Sequence, residues 1–270
     1  MEISTKSKIT NPYGYYKFRG IKKVLYKLAQ KLPKNTFGFK SALVLRKLTL
    51  QNRIDVVDEI QFGLKLRLYP LDNLGDRYLL FMPKFSHQME FNFMSENLTP
   101  NSTFIDIGAN AGIFSLTAAK YIKTGRILSF EPNPTLLERL KFNSEINGFD
   151  HVIEPYQFGI ADKESSFRLS QNSKNLGGAS IVNDYGEYHI TISCRPLLAV
   201  LKEQNIEHID ILKIDIENAE PLALNPFFKK APRGLFPKMI IIESFEGINF
   251  AKLGYKLIAR RESNSIYRLE

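Results

Sequence analysis

The residues whose types and spacing could do chemistry begin with a loop of small and polar side chains. Asp106, Gly108, Asn110 and Gly112 follow a β-branched and aromatic run and precede apolar residues at helical spacing. This order predicts a strand, a tight turn and a helix, the first half of a nucleotide-binding crossover. Glu131 ends a second predicted strand about 23 residues beyond Gly108, the spacing expected of a ribose-binding acid. The sequence therefore predicts a ribose-containing ligand between this loop and Glu131.

The glycine spacing narrows the class of ligand. A pyrophosphate-binding turn has the pattern G-x-G-x-x-G, and here Asn110 stands where its second glycine would allow close backbone approach. The pattern also differs from the phosphate loop G-x-x-x-x-G-K-[ST]. A nucleoside without a pyrophosphate is favoured over a dinucleotide. The alternative is a strand-to-helix turn that binds nothing.

A second set of acids follows a nearly continuous apolar run at residues 208–215. Asp215, Glu217 and Glu220 stand where that predicted strand ends, and Glu217 and Glu220 would share one face of a following helix. Close carboxylates raise one another's pKa, as a general base for a hydroxyl requires. The alternative is that Glu217 and Glu220 stabilise the helix N-terminus. Lys213 is either an inward ion-pair partner or a catalytic group.

Other polar residues give weaker signals. His87 and His189 are lone histidines without a visible partner, and a structural role is the ordinary interpretation of each. Tyr185 and Tyr188 are candidates for lining an acceptor site. No spacing of histidine and cysteine indicates zinc, so no metal-binding residue is assigned, and magnesium bound by Asp or Glu stays an alternative. The single cysteine, Cys194, excludes an intrachain disulfide.

The elements that must position these residues alternate between strands and helices. Before residue 98 we predict amphipathic helices at 21–32 and 37–50, a hairpin within 53–70, a polar loop at 72–77 and a helix at 86–98. Beyond it we predict five parallel strands with intervening helices, a loop or hairpin insertion within 166–181 and a terminal antiparallel hairpin. The fold class is thus α/β, a doubly wound, mostly parallel Rossmann-like sheet. The predicted domains are a basic N-terminal extension at 1–98 and a main domain at 99–270.

The net charge of +9 belongs to the N-terminal segment. Residues 1–53 contain thirteen Lys and Arg against Glu2 alone, and four lysines line one face of the first predicted helix. Two interpretations stay open: a surface helix that packs on the main domain, or a contact through residues 17–47 with an anionic membrane or a polyanionic substrate. The sequence contains no apolar run long enough for a membrane span and no secretory signal, so we expect a cytoplasmic protein.

Four segments together resemble one known family. They are FIDIGANAG at 104–112, FEPNP at 130–134, LGGAS at 176–180 and LKIDIENAE at 212–220. In order and spacing they resemble the signatures of FkbM-type S-adenosylmethionine-dependent methyltransferases, over residues 76–243. One position departs from the pattern, because Asn218 stands where the family usually has glycine. Asparagine tolerates a left-handed backbone nearly as well as glycine does, so the turn itself is expected to survive.

The resemblance implies a class I methyltransferase sheet and S-adenosylmethionine as the cofactor. It implies that the loop from Asp106 to Gly112 cradles the methionine portion, that Glu131 holds the ribose hydroxyls, and that Asp162 approaches the adenine amino group. Asp215, Glu217 and Glu220 then become the candidate catalytic residues.

We predict an O-methyltransferase acting on a hydroxyl of a sugar, a glycan, a lipid-linked intermediate or another small molecule. The alternatives are a nucleic-acid (RNA) methyltransferase and a non-catalytic S-adenosylmethionine-binding scaffold. A dehydrogenase ranks below them. No stable nucleic-acid complex is expected, because the basic segment lacks a platform of stacking aromatic residues.

Overall fold

The computed structural model describes residues 9–51, 54–184, 188–243, 247–261 and 264–270. Tyr185 lies outside these ranges. The chain divides into two compact units, one holding the described residues up to Gln88 together with Ser173–Gly177, and one holding Met89–Asn172 and Gly178–Glu270. The domain boundary predicted from the sequence, after residue 98, stays a prediction.

The first unit is a helical pair followed by a hairpin and a short helix. Its elements are α1 (Gly20–Lys31), α2 (Thr36–Thr49), β1 (Val57–Gln61), β2 (Leu64–Leu68) and α3 (Leu74–Phe81). A buried ion pair joins the two strands of the hairpin, with Arg67 Nε 2.7 Å from Asp58 Oδ1. Arg67 also donates to the carbonyl of Asn11, which ties the hairpin to the preceding chain.

One element of this unit differs from prediction. Residues 72–77 were predicted as a polar loop, but helix α3 begins at Leu74. The side chain of Asn73 accepts a hydrogen bond from the backbone N–H of Asp76 at 3.2 Å. Asparagine in this position satisfies an otherwise unpaired helix donor, which makes a polar segment a good helix start.

The second unit is built on alternating strands and helices. In chain order these are α4 (Gln88–Asn97), β3 (Thr103–Ile107), α5 (Ile113–Ala119), β4 (Arg126–Phe130), α6 (Pro134–Asn147), β5 (Ile153–Tyr156), β6 (Gly159–Ile160), β7 (Ser165–Asn172), β8 (Asn175–Ser180), β9 (Tyr188–Arg195), α7 (Leu197–Glu203), β10 (Ile211–Ile214), α8 (Glu220–Lys230), β11 (Met239–Glu243), β12 (Tyr255–Arg261) and β13 (Asn264–Leu269). Short 3₁₀ turns lie at Arg233–Leu235 and Ala251–Leu253, and a further one lies at Pro83–Phe85 in the first unit. Residues 175–177 of β8 also belong to the first unit.

The central sheet has seven strands in the order β12-β13-β11-β10-β3-β4-β5. The five strands from β11 to β5 are parallel, β13 is antiparallel to β11, and β12 is antiparallel to β13. This order confirms the doubly wound α/β class with a C-terminal antiparallel hairpin. The strand order reverses between β3 and β10, and ligands of such sheets bind beyond the carboxyl ends of the strands at this reversal.

The two strands at the reversal are buried throughout. Every residue of β3 and of β10 is buried, which accounts for their mostly apolar sequences. Ile105 and Ile107 of β3 and Leu212 and Ile214 of β10 belong to the main hydrophobic cluster, which also includes Phe227 of α8. Burial of each large apolar side chain stabilises the fold by about 1.5–3 kcal/mol. The site residues that follow these strands therefore start from a rigid base.

A second sheet of four strands has the order β6-β9-β7-β8. It contains the hairpin insertion predicted within 166–181, together with β9, which was not predicted. Residues 151–160 were predicted as one strand, but they form β5 and β6 in different sheets. Phe158 marks the change, since its ring packs on those of Phe130 and Tyr156.

Gly159 then allows the backbone to pass Cys194, because a Cβ there would lie 2.8 Å from the sulfur.

No helix in the described part of the chain is long and apolar enough to cross a membrane.

Candidate active site

The first edge of the site is the turn between β3 and α5. Gly108, Asn110 and Gly112 all have a positive φ, of 76°, 52° and 93°. At Gly108 a side chain is also excluded sterically, because a Cβ would lie 2.1 Å from the carbonyl oxygen of Asp215. Asn110 tolerates its left-handed conformation, and its side-chain oxygen accepts the N–H of Ala111 at 2.7 Å. Gly108, Asn110 and Gly112, at alternate positions of the turn, are therefore the residues whose backbone has a positive φ.

Glu131 links the turn between β3 and α5 to the turn that follows β4. Its carboxylate accepts the backbone N–H of Asn110 at 2.8 Å with one oxygen and that of Asn133 at 2.9 Å with the other. Burial raises the pKa of Glu131 to about 7, against the two N–H groups and Lys213, which lower it. Each carboxylate oxygen has a second lone pair. Glu131 can therefore position the turn and still accept hydrogen bonds from a ligand.

Asp106 lies beneath the turn rather than at its surface. Its side chain is fully buried, one oxygen accepts the hydroxyl of Ser115 at 2.6 Å, and the other lies 3.5 Å from Lys213 Nζ. Ser115 is also hydrogen bonded to Ser129 at 2.8 Å. The structure thus places the Asp106 carboxylate inside the protein, where it supports the turn, and its contact with a cofactor stays a prediction.

Asp162 is half-buried on the turn that follows β6. A Cβ on Gly159 of that strand would come 3.9 Å from Pro132, the residue after Glu131. Strand β6 therefore lies beside the Glu131 turn. The predicted contact between Asp162 and the adenine amino group would form on this side of the site.

The second edge of the site is the segment after β10. Because β10 pairs with β3, Ile214 lies opposite Ile107, and the N–H of Asp215 donates to the carbonyl of Ile107 at 3.1 Å. The segment continues with Glu217 and Asn218 in left-handed conformations, with φ of 55° and 76°. Asn218 therefore makes, in a left-handed conformation, the turn for which the FkbM-type family usually has glycine. The turn survives this substitution, as expected from the sequence.

The three predicted catalytic acids have different surroundings. Asp215 is partly exposed, with one oxygen 3.9 Å from Lys213 Nζ. Glu220 is buried at the start of α8 and accepts the N–H of Ile216 at 2.8 Å, which supports its alternative role in stabilising the helix start. Burial first, and then Asp215, Glu243 and Glu220, raise the pKa of Glu217 to about 7. Glu217 therefore has a pKa in the range that a general base near neutral pH requires.

A third segment fixes the position of Glu217. Ser180, the last residue of β8, donates its hydroxyl to the carbonyl of Glu217 at 2.9 Å and accepts the N–H groups of Val182 and Asn183. The LGGAS segment therefore supports the LKIDIENAE segment. Sequence reasoning quoted both segments but did not single out Ser180, and no local signal links residues so far apart in the chain.

Glu243 was also missed, although an acid at the carboxyl end of a parallel strand, here β11, is a signal that would have found it.

Lys213 joins the two edges. Its ammonium is almost fully buried, donates to the carbonyl of Gly108 at 2.9 Å, and lies 5.0 Å from the centre of the Phe114 ring. Together with its approach to Asp106 and Asp215, this is the inward ion-pair role considered from the sequence.

His189 has partners that the sequence did not reveal. Its Nε2 lies 2.9 Å from Asp184, and its Nδ1 lies 3.0 Å from a guanidinium nitrogen of Arg168. Because a guanidinium only donates, Nδ1 accepts, and a neutral ring carries its proton on Nε2. These contacts give His189 a role in holding β7 to the loop before β9.

Two family models match the chain. The Methyltransferase FkbM domain matches residues 106–259, and a model described as the Vibrio cholerae RfbT protein matches residues 21–170. The first range contains both edges of the site. The second includes the N-terminal helices and the first edge.

Relatives match a little under half of the chain. The chain is 26% identical over 154 residues to methyltransferase sdnD of Sordaria araneosa, covering 46% of this chain and 60% of that protein. It is 28% identical over 161 residues to AMB antimetabolite synthetase AmbE of Pseudomonas aeruginosa, covering 46% of this chain and 7% of that one. The chain thus spans less than two thirds of the length of either relative.

Among solved structures, a methyltransferase FkbM from Methylobacillus flagellatus KT aligns with a TM-score of 0.41 at 15% identity, covering 73% of this chain and 55% of that one. The fold assignment rests on the strand order of this chain itself.

S-adenosylmethionine is the cofactor of this class of methyltransferase domain, and the residues present fit it. Glu131 keeps free acceptor sites for ribose hydroxyls, and Asp215 and Glu217 give the edge a negative charge that suits a sulfonium cation. The FkbM model covers more than half of the chain, and its range includes every segment from which this site is built. The chain therefore belongs to the FkbM methyltransferase family.

Proposed function

We propose that this methyltransferase is O-directed and methylates a hydroxyl of a sugar, a glycan or another small-molecule acceptor. The observation that carries the proposal is Glu217, a carboxyl with a pKa raised to about 7 on the segment beside the Gly108 turn. Removing a hydroxyl proton during the reaction calls for a positioned base whose pKa lies near the working pH. An amine or thiolate acceptor needs such a base less.

The chain's own residues divide the work of the reaction. When bound, S-adenosylmethionine supplies a methyl group on an electrophilic sulfonium. Glu131 and the Gly108 turn orient the donor side, and Lys213 keeps that turn against β10. The Glu217 carboxylate would accept the proton that the acceptor hydroxyl loses when it takes up the methyl group. Ser180 keeps Glu217 in place for that transfer.

The acids at this edge also bear on the acceptor class. Asp215, Glu217, Glu220 and Glu243 lie close enough for the other three to raise the pKa of Glu217. Such a cluster repels phosphates, which disfavours a nucleic-acid backbone and favours an acceptor that is neutral at the reacting hydroxyl. Sugars present hydroxyls without charge. A phosphate or lipid in a larger sugar-containing acceptor would have to lie away from this edge.

The test is release of S-adenosylhomocysteine with a panel of acceptors: free sugars, nucleotide sugars, lipid-linked sugars and RNA. In the wild type, kcat is expected to rise with pH through about 7 and then level off, because Glu217 must be ionised to accept a proton. Glu217→Gln is expected to lower kcat by about 10²–10⁴-fold and to abolish this rise. The matched control is Glu145→Gln, at an exposed position of α6, which should keep both rate and profile.

Three outcomes would contradict the proposal. Methylation of RNA but of no sugar or small molecule would replace the acceptor class. An unchanged pH profile in Glu217→Gln would remove Glu217 as the base. Calorimetric binding of S-adenosylmethionine without turnover of any acceptor would favour a non-catalytic scaffold.

A further inference from the structure

Helix α1 exposes the apolar face that its sequence pattern leads one to expect inside. Ile21, Val24 and Leu28 are between 50% and 69% exposed. The residues that α1 buries are Tyr26 and Ala29, on the other side of the helix. At 3.6 residues per turn the three exposed side chains fall within about 60° of one another, so they form one continuous stripe.

Helix α2 repeats this arrangement. Phe37, Val44 and Leu48 are between 42% and 71% exposed, whereas α2 is anchored through small buried residues, Gly38, Ala42 and Thr49. The three exposed side chains fall within about 40° of one another around the helix axis. Monomeric proteins seldom leave such grouped large apolar side chains in water without a binding role.

Lysines border both stripes. On α1 the exposed lysines are Lys23, Lys27 and Lys31, and on α2 they are Lys40 and Lys47. By helical spacing they lie on one side of each stripe, with Lys23 farthest from its stripe, at about 60° from the buried Tyr26. Residues 9–51 contain no Asp or Glu, so no acid within this segment neutralises them. We call the exposed residues of α1 and α2 the lysine-rimmed surface.

We propose that the lysine-rimmed surface docks on a lipid bilayer with anionic headgroups. Apolar side chains in a stripe can enter the boundary between headgroups and acyl chains, and flanking lysines pair with the headgroup charges. A second copy of the chain is a poor occupant, since it would bring ten of these exposed lysines face to face. The inference is independent of the acceptor and goes beyond the methyl transfer.

The experiment is co-sedimentation of the full chain with vesicles of phosphatidylcholine alone, or of phosphatidylcholine with an equal amount of phosphatidylglycerol. We expect binding to the anionic vesicles, weakened by added salt. Replacing Lys23, Lys27 and Lys31 together by Gln should lower the partition coefficient by on the order of a hundredfold, at about fivefold for each lysine. Replacing Ile21, Val24 and Leu28 together by Ser should lower it by at least about tenfold.

Matched controls come from exposed residues outside the two helices. Lys163, Lys229 and Lys230 changed together to Gln, and Leu257 and Ile258 changed together to Ser, should leave binding unchanged. Every variant should keep the wild-type circular dichroism and melting temperature, because none of these side chains is buried. If a helix variant unfolds, the single changes Lys27→Gln and Leu28→Ser replace it and should each give a measurable part of the loss.

The proposal is overturned by equal binding of helix and control variants, by binding that ignores headgroup charge, or by no binding to either vesicle. It is also overturned if ultracentrifugation shows a dimer that Leu28→Ser dissociates, which would make a second copy the occupant of the lysine-rimmed surface.

Discussion

Replacing Lys213 by methionine is expected to destabilise the second unit strongly. The lysine ammonium is buried, donates to Gly108 at 2.9 Å and lies 3.5 Å from the fully buried Asp106. Methionine keeps most of the side-chain volume, so packing changes little. The main effect is an unpaired buried charge on Asp106, and breaking a buried ion pair in this way costs about 3–5 kcal/mol.

A second substitution separates charge from packing. Adding Asp106→Asn to Lys213→Met removes the unpaired charge and keeps an acceptor for the hydroxyl of Ser115. The double variant should therefore recover about 1–3 kcal/mol relative to the sum of the single changes. The control is Lys141→Met, since Lys141 pairs with Glu138 on the surface, and its loss should change stability by less than about 0.5 kcal/mol.

The measurement is urea unfolding followed by far-ultraviolet circular dichroism, with calorimetric titration of S-adenosylmethionine on each folded variant. Loss of the Lys213 contact should also weaken cofactor binding, because the Gly108 turn loses its attachment to β10. The reasoning is refuted if Lys213→Met changes the free energy of unfolding by less than about 1 kcal/mol, or if Asp106→Asn adds its full cost to the double variant.

Three further predictions concern the turns of the site. The pKa of Glu131 is raised from 4.5 to about 7, so the folded state binds this proton more tightly than the unfolded state does. The wild-type free energy of unfolding should therefore fall relative to that of Glu131→Gln as the pH rises from about 5 to about 8. The expected fall is roughly 3 kcal/mol, measured by urea unfolding without cofactor. Gly108→Ala should cost about 2–5 kcal/mol and abolish cofactor binding in calorimetry, since its Cβ would meet the Asp215 carbonyl, whereas Gly234→Ala, with open space around it, should be near neutral. Asn218→Ala should lose about 1 kcal/mol in urea melts because of its positive φ, while Asn218→Gly should keep stability and turnover; equal loss in both would show that the amide matters rather than the backbone.

Much of the fold could be predicted because its signals are local. The apolar run before Asp215 and the glycines around Asn110 report strands and turns within a few residues of themselves. The same local logic failed at residues 151–160, where periodicity cannot show that the chain leaves one sheet for another beside Phe158. It also failed at Asn73, whose capping hydrogen bond turned a polar segment into a helix.

The sequence predicted the two edges of the site, namely the turn around Asn110 with Glu131 and the segment from Asp215 to Glu220. Linear spacing placed Glu131 and Glu217 at strand ends, and parallel strands bring such ends together. Spacing could not show that Asp106 points inward, that Glu220 binds the backbone of Ile216, or that Ser180 holds Glu217. Each of these depends on which side chain a tertiary neighbour meets, and neighbouring residue types do not specify that.

The hydrogen bond from Ser180 to Glu217 has a consequence for how this enzyme can diversify. Residues 178–184 belong to a region inserted between the core strands, where new acceptor preferences would most readily evolve. The same region supports the backbone of the proposed base, so changing it to admit a new acceptor also changes where that base stands. Laboratory grafts of this insertion from one family member to another should therefore succeed only when serine, or threonine with the same hydroxyl, is kept at position 180. We therefore expect substitutions in this insertion to change acceptor selectivity and turnover together.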